Sequence, residues 1–127
     1  GVLPFAVYDS LLKFYASTDG ARAAHLFREM IDEGLAASEG FCGSLISRSG
    51  ESNSVAFAED VANYLRGKSM MSLALLKTLM KAYASCGLYE KACDVFVEAK
   101  GLGIEPDAVM HSCAVKFAVK AGRRDLS

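Results

Sequence analysis

The sequence predicts an all-α fold, a right-handed α-solenoid built from stacked antiparallel helix hairpins. The first observation is an internal repeat, since residues 11–17 (LLKFYAS) return as residues 79–85 (LMKAYAS). The offset is 79 − 11 = 68 residues, or two periods of 34, and Leu45 falls midway. The second observation is that apolar residues recur at helical spacing between glycine-containing turns. A period of this length is typical of one helix-turn-helix unit, repeated so that neighbouring units bury each other's apolar faces.

The first unit predicts helices over residues 7–17 and 21–33, which we term the A and B helices of the unit. Asp19 and Gly20 favour a turn between the two helices, and Gly34 favours the end of the B helix, because glycine tolerates the left-handed cap conformation. The apolar face of this B helix consists of Ala23, Ala24, Phe27, Met30 and Ile31.

The second unit is the most divergent. Its predicted A helix covers residues 39–48 and contains Gly40 and Gly43, each of which lowers helix propensity by about 1 kcal/mol. A long polar turn is expected over residues 49–54, followed by a B helix over residues 55–66. The apolar face of this B helix consists of Ala58, Val61, Ala62 and Leu65.

The third unit has the clearest pattern. Ser72 is a suitable N-cap for an A helix that ends at Cys86-Gly87. A B helix is predicted over residues 89–100, and the glycine- and proline-containing segment 101–107 turns the chain. The apolar residues of the A helix are Leu75, Leu76, Leu79, Met80 and Tyr83, and those of the B helix are Ala92, Val95, Phe96 and Ala99.

The fourth unit supplies an A helix over residues 108–121 and the first residues of a B helix. Residues 1–127 are therefore expected to form one helical-repeat domain. Its repeats are predicted at about 6–38, 39–72, 73–107 and, in part, 108–127. Because the first residues resemble the end of an earlier unit and the last lie within a predicted helix, we expect the chain to be a fragment of a longer protein.

Composition allows a sizeable core and points to no particular ligand. Apolar residues make up 52% of the 127 residues, and the formal net charge is −1. No apolar run approaches the roughly 20 residues that would span a bilayer, so no transmembrane segment is predicted. The four cysteines contain no Cys-x-x-Cys pair, which favours reduced thiols in a reducing compartment.

The ends of two units resemble those of a known repeat family. Residues 27–35 (FREMIDEGL) and 96–107 (FVEAKGLGIEPD) resemble the Phe-x-Glu-Met-x-x-x-Gly-Ile ending of pentatricopeptide (PPR) repeats, down to a closing Pro-Asp in the second case. Gly87, Tyr89 and Ala92 also fit a tetratricopeptide repeat, and the unit endings favour PPR. The resemblance implies a mitochondrial or plastid protein and, in most of the family, binding to single-stranded RNA with one base per repeat.

The resemblance also indicates which residues would read a base, namely a polar residue early in each A helix together with the last residue of the repeat. The third unit offers Lys77 with Asp107, of which Asp107 fits the family pattern and Lys77 departs from it. The fourth unit offers Ser112, which fits. The second unit offers Gly43, which has no side chain with which to read a base. The first unit offers Asp9 or Ser10, depending on the register, with Ser38.

Charge is sorted between the two sets of helices. The A helices carry six basic and two acidic residues, a net charge of +4, whereas the three B helices with their leading turns carry five basic and nine acidic residues, a net charge of −4. In solenoids of this kind the A helices line a concave groove. The predicted binding residues of that groove are Lys77, Lys81, Asp107, Ser112, Lys116 and Lys120, extended by Arg123 and Arg124. Such a groove suits phosphates or an acidic protein surface, although lysines also occur on any solvated helix face.

Two functions follow from these patterns. The first is a non-enzymatic scaffold that docks protein subunits within a larger organellar assembly, such as a ribosome or a bioenergetic or photosynthetic membrane complex. The alternative is an organellar protein that binds single-stranded RNA through the basic groove. Neither requires a cofactor, a metal or a small-molecule substrate. His111 and Cys113 lie two residues apart, on different sides of a helix, and no second ligand pair accompanies them, so a zinc site is not predicted.

Overall fold

The computed structural model describes residues 3–122, and these residues form seven α-helices and no strand. The helices are α1 (Phe5–Thr18), α2 (Gly20–Asp32), α3 (Glu39–Glu51), α4 (Val55–Gly67), α5 (Leu73–Ser85), α6 (Tyr89–Gly101) and α7 (Ala108–Ala121). The A helices are thus α1, α3, α5 and α7, and the B helices are α2, α4 and α6. The predicted start of a fourth B helix, with Arg123 and Arg124, lies outside the described residues.

Consecutive helices pack as hairpins, and the hairpins stack in a row. The stack is held mainly by the A helices, since α1 packs on α3 and α3 packs on α5 more extensively than α2 packs on α4. Closer spacing on one side of a stack curves it toward that side. The A helices therefore lie on the inner side of the first three units and the B helices on the outer side. The all-α solenoid predicted from the repeat is confirmed.

A continuous core runs between the two sets of helices. The small residues Ala23, Ala58 and Ala92 recur at equivalent positions of the B helices, and each is 0% exposed. Because alanine has only a methyl group, each B helix can lie close to its A helix at that point. Aromatic and long aliphatic side chains fill the space around them, and the largest fully buried ones include Tyr8, Phe57, Leu12 and Met30.

Six of the seven described helices, all except α1, are followed by a left-handed residue. At Gly87, whose φ is +75°, the amide of Leu88 donates to the carbonyl of Tyr83 and satisfies one of the last free carbonyls of α5. The second unit makes the same turns with Asn53 and Ser69 at φ of 63° and 55°. The divergence of this unit therefore changes the residues at its turns and preserves their geometry.

The prediction for the end of α3 was wrong. The helix continues to Glu51 instead of ending at Arg48, so the expected long polar turn shrinks to residues 52–54. The additional turn is held by burial, because Ser49 and Gly50 are both buried in the stack. The backbone of α3 passes so close to α5 that a Cβ at Gly50 would lie 2.8 Å from the Cα of Ala82.

None of the helices within residues 3–122 combines the length and the apolar character needed to cross a membrane.

Candidate binding groove on the A helices

The two residues predicted to read a base in the third unit are bonded to each other. The Lys77 ammonium lies 2.6 Å from Oδ2 of Asp107. The other carboxylate oxygen, Oδ1, accepts a hydrogen bond of 2.8 Å from the amide of Met110 and so caps the first turn of α7. Both oxygens of Asp107 are therefore engaged within the chain.

The same contacts determine the charge state of Asp107. The hydrogen bond from Lys77, followed by that from the Met110 amide, holds the pKa of this carboxyl below its ordinary value. The Asp107 carboxylate thus remains ionised over the physiological range. It balances the positive charge of Lys77, so this residue adds little to the net positive charge of the groove.

The other three predicted lysines lie around one cleft. Lys81 projects from α5, and Lys116 and Lys120 project from α7, toward a space of about 380 Å³ that we term the lysine cleft. Neither Lys81 nor Lys116 forms an ion pair with a carboxylate of residues 3–122. The remaining lining residues are Ala84, Ser85, Tyr89 and Phe117. Positive charge is therefore concentrated here, and no acidic side chain is among the lining residues.

The lysine cleft exists because α7 departs from the stacking of the earlier A helices. Its main contact is with α6, and it makes little or no contact with α5. The rings of Tyr89 and Phe117 lie 5.7 Å apart, and those of Phe96 and His111 lie 5.2 Å apart, along the α6–α7 interface. Ser112, which was predicted to lie beside the lysines, is exposed and does not line the cleft.

The aromatic rings of the lysine cleft are not available for stacking on a base. Phe117 is only 8% exposed, since it packs into the core. The ammonium of Lys120 lies 5.1 Å from the centre of the Tyr89 ring, in a cation–π contact that covers one face. Nucleic-acid channels that bind single strands generally present open aromatic faces. The cleft therefore offers cations rather than stacking surfaces.

A second cleft on the inner side lies between α3 and α5. Its volume is about 450 Å³, and its lining combines the glycines Gly43 and Gly50 with small polar side chains such as those of Ser44, Ser47 and Thr78. Lys81 belongs to both clefts, as does Ser85, so the two are continuous along α5. The inner side is thus a polar channel that becomes basic toward α7.

Sequence reasoning missed a set of contacts on the outer side that joins the second unit to the third. Arg66 of α4 forms a bidentate ion pair with Glu98 of α6, in which its Nε and Nη2 lie 2.7 and 2.8 Å from the two carboxylate oxygens. Glu59 of α4 accepts hydrogen bonds from Lys91 of α6 at 3.1 Å and from the Tyr83 hydroxyl at 3.0 Å. The available signal was the recurrence of opposite charges 32 residues apart, close to one repeat period.

Residues 3–122 hold no group of three or more metal-ligating side chains. All four cysteines are free thiols, and burial raises the pKa of Cys42 to about 12. The ring of His111 packs on Phe96 rather than toward Cys113.

Comparison with known families agrees with this architecture. Residues 75–104, which span most of α5 and α6, match the family model described as PPR repeat. The resemblance of the unit endings to PPR repeats is therefore confirmed in the third unit. PPR proteins are generally non-enzymatic, commonly organellar, and bind protein or RNA through their repeats. No curated protein matches the chain.

Proposed function

We propose that this chain is a non-enzymatic scaffold that docks a protein partner along the inner, A-helix side of the solenoid. In the same proposal it is a subunit of a larger organellar assembly, such as a ribosome or a bioenergetic membrane complex. The observation that carries the proposal is the bond between Lys77 and Asp107, because it occupies the two groups that would have to face a base.

Base reading requires polar groups that are free to bond the edge of a base. In the third unit the carboxylate of Asp107 bonds Lys77 and the Met110 amide, and replacing these bonds by bonds to a base would remove the cap of α7. In the second unit the corresponding position is Gly43. The base-reading positions of the second and third units are therefore unavailable. The array still offers its basic cleft, which suits a protein partner.

The charge of the lysine cleft defines the chemistry of that partner. Three ammonium groups without a described carboxylate among the lining residues favour an acidic segment, whose carboxylates can bond to Lys81, Lys116 and Lys120 together. Such complementarity mainly steers association and selects the partner. We therefore propose that an acidic segment of a neighbouring subunit occupies the cleft.

The same cleft favours a second candidate function, the binding of single-stranded RNA through its phosphates. Lysines that contact phosphates need no base-reading groups, and the interaction would be independent of sequence. This candidate rests on the cluster of Lys81, Lys116 and Lys120 alone, since the rings beside them are covered.

Titration with two probes of equal charge separates the candidates. One probe is a twelve-nucleotide oligouridylate, and the other is a peptide of alternating glutamate and glycine that is long enough to carry the same charge. Each is titrated at low and moderate salt against the chain and against Lys81→Ala/Lys116→Ala. The matched control, Lys68→Ala/Lys100→Ala, removes two cations that lie over the rings of Tyr64 and Phe96, outside the lysine cleft.

The docking proposal predicts that the acidic peptide binds more tightly than the RNA and that the cleft variant weakens this binding about tenfold, with the control unchanged. Micromolar RNA binding whose affinity falls steeply with salt and depends on Lys81 and Lys116 would contradict the docking proposal and support the second candidate, RNA binding. Binding of neither probe would reject the lysine cleft as a site for anionic partners.

A further inference from the structure

We propose that the outer side of the solenoid carries a separate docking groove, between α2 and α4, for a peptide segment that presents one large apolar side chain flanked by lysine or arginine. The groove has a volume of about 380 Å³. We term it the seam groove. It lies on the B helices and shares no lining residue with the lysine cleft.

The seam groove is recognised by comparing the two junctions between B helices. The equivalent alanines Ala23, Ala58 and Ala92 set the register, at offsets of 35 and 34 residues. At the second junction the contacts are ion pairs, Glu59 with Lys91 and Arg66 with Glu98. In the same register the first junction places Ala24 opposite Phe57 and Ile31 opposite Tyr64. Charged pairs that close one junction are therefore replaced by apolar residues at the other.

The floor of the seam groove is lined by three of these residues, Ala24, Ile31 and Tyr64, together with Phe27. The ring of Phe27 meets that of Tyr64 edge to face at 5.4 Å and that of Phe57 at 6.1 Å. Ala24, Ile31 and Tyr64 are half-buried, so part of each remains open to the groove. The hydroxyl of Tyr64 accepts a hydrogen bond from the Ala37 amide at 3.4 Å, which helps to fix its ring. A preformed aromatic floor of this size accommodates one large apolar side chain.

The rim of the seam groove selects the charge of the occupant. Asp32 of α2 and Asp60 of α4 line it from its two helices, with Arg28 as the single cation. Asp32 and Asp60 are exposed, and neither forms an ion pair with any residue of the described part of the chain. The B helices as a whole are acidic. Free carboxylates on both helices beside an apolar floor complement a basic segment with an apolar anchor.

The probe is the peptide Lys-Lys-Trp-Lys-Lys, acetylated and amidated at its ends. Since the chain contains no tryptophan, the fluorescence of the peptide reports its transfer to an apolar site without interference. The proposal predicts saturable binding with a blue shift. A peptide with glutamate in place of lysine is expected to bind at least about tenfold more weakly, which corresponds to about 1.4 kcal/mol.

Two variants locate the site. Ile31→Arg introduces an arginine at the position equivalent to Arg66 of the second junction. Its side chain is expected to cover the apolar floor. Asp32→Asn/Asp60→Asn removes the two rim charges and leaves the floor intact, and both positions are exposed, so folding is expected to be preserved. Each is expected to weaken peptide binding about tenfold. The matched control is Glu51→Gln/Glu105→Gln, which removes two exposed carboxylates that do not line the seam groove.

Equal weakening by the control variant would overturn the proposal by showing that only the overall charge matters. Unchanged binding by Asp32→Asn/Asp60→Asn would overturn it as well. Concentration-dependent dimerisation of the chain that Ile31→Arg abolishes would assign the seam groove to a second copy instead. Because these variants leave the lysine cleft intact, their failure is distinguishable from failure of the proposed inner-side docking.

Discussion

At the scale of single residues, Asp107 shows how one carboxylate can serve two structural contacts at once. Its Oδ1 caps α7 through the Met110 amide, and its Oδ2 bonds Lys77. The lysine at position 77 is what turns a potential base-reading pair into an internal ion pair. A polar but uncharged residue there would leave Oδ2 open to the groove. The identity of residue 77 therefore decides whether Oδ2 is bonded within the chain.

The stability that the ion pair contributes depends on pH in a defined direction. Because the pKa of Asp107 is held below its ordinary value of 3.8, the contribution is fully present above that value and is lost as pH falls through the lowered pKa. Asp107→Asn keeps a good N-cap but loses the ion pair. We expect its deficit in unfolding free energy, measured by urea denaturation, to shrink toward zero between about pH 6 and about pH 2.

Asp19→Asn is the matched control for this measurement. Asp19 caps α2 by accepting a hydrogen bond from the Arg22 amide at 3.2 Å, and it forms no ion pair within residues 3–122. A pH dependence of the Asp107→Asn deficit that matches that of Asp19→Asn would attribute the effect to capping and contradict the ion-pair explanation.

At the scale of elements, α3 shows packing overriding local preference. Its sequence carries three glycines and three serines, yet the helix runs to Glu51. Gly50 contributes through its lack of a side chain, because α3 and α5 approach there too closely for a Cβ. Glycine is unfavourable for the isolated helix and favourable for the helix pair.

Two glycine substitutions in α3 are therefore expected to have opposite signs. Gly50→Ala would place a methyl group 2.8 Å from the Cα of Ala82, and we expect it to destabilise the fold by about 1–3 kcal/mol. Gly40→Ala meets nothing within 4 Å and should stabilise by up to about 1 kcal/mol through helix propensity. Thermal and urea unfolding of the two variants measure this difference. A stabilising Gly50→Ala would show that the close approach does not exist.

At the scale of the whole molecule, the solenoid is joined differently on its two sides. The A helices stack through apolar contacts from α1 to α5, whereas the outer junction of the second and third units is bridged by Glu59, Arg66, Lys91 and Glu98. Tyr83 links the two sides, since its ring is buried at 5% exposure and its hydroxyl bonds Glu59. The junction therefore depends on the neutral form of this tyrosine.

This junction is expected to weaken at alkaline pH. Burial, followed by the hydrogen bond to Glu59, raises the pKa of Tyr83 above its ordinary value of 10.0. A raised pKa contributes stability that is complete below the unfolded-state value and is lost as pH rises through the folded-state value. We expect the stability advantage of the chain over Tyr83→Phe, measured by urea unfolding, to fall as pH rises above about 10.

Tyr15→Phe provides the comparison, since Tyr15 occupies the equivalent position of the first unit and is half-buried. No carboxylate of residues 3–122 accepts a hydrogen bond from it in the structure. An equal loss of this stability advantage at alkaline pH in both comparisons would contradict the assignment of the effect to the Tyr83–Glu59 contact.

Local sequence patterns predict the features of the fold that depend on neighbours along the chain. Helical spacing predicts the seven helices found within residues 3–122. Ser72 is the predicted N-cap of α5, and its hydroxyl accepts a hydrogen bond from the Leu75 amide. Gly34 and Gly87 lie at predicted helix ends and have positive φ. These features depend on backbone conformation within a few residues, which local residue types control. The end of α3 could not be predicted from local sequence because it depends on contact with α5.

The side chains that meet across units are fixed by tertiary packing. The bond between Lys77 and Asp107, the seating of α7 on α6 and the contrast between the two outer junctions depend on the rotation and spacing of successive hairpins. That rotation results from the packing of many side chains at once, so no local pattern encodes it. The repeat therefore predicts the solenoid, whereas the contacts between its units determine the shape and charge of its clefts.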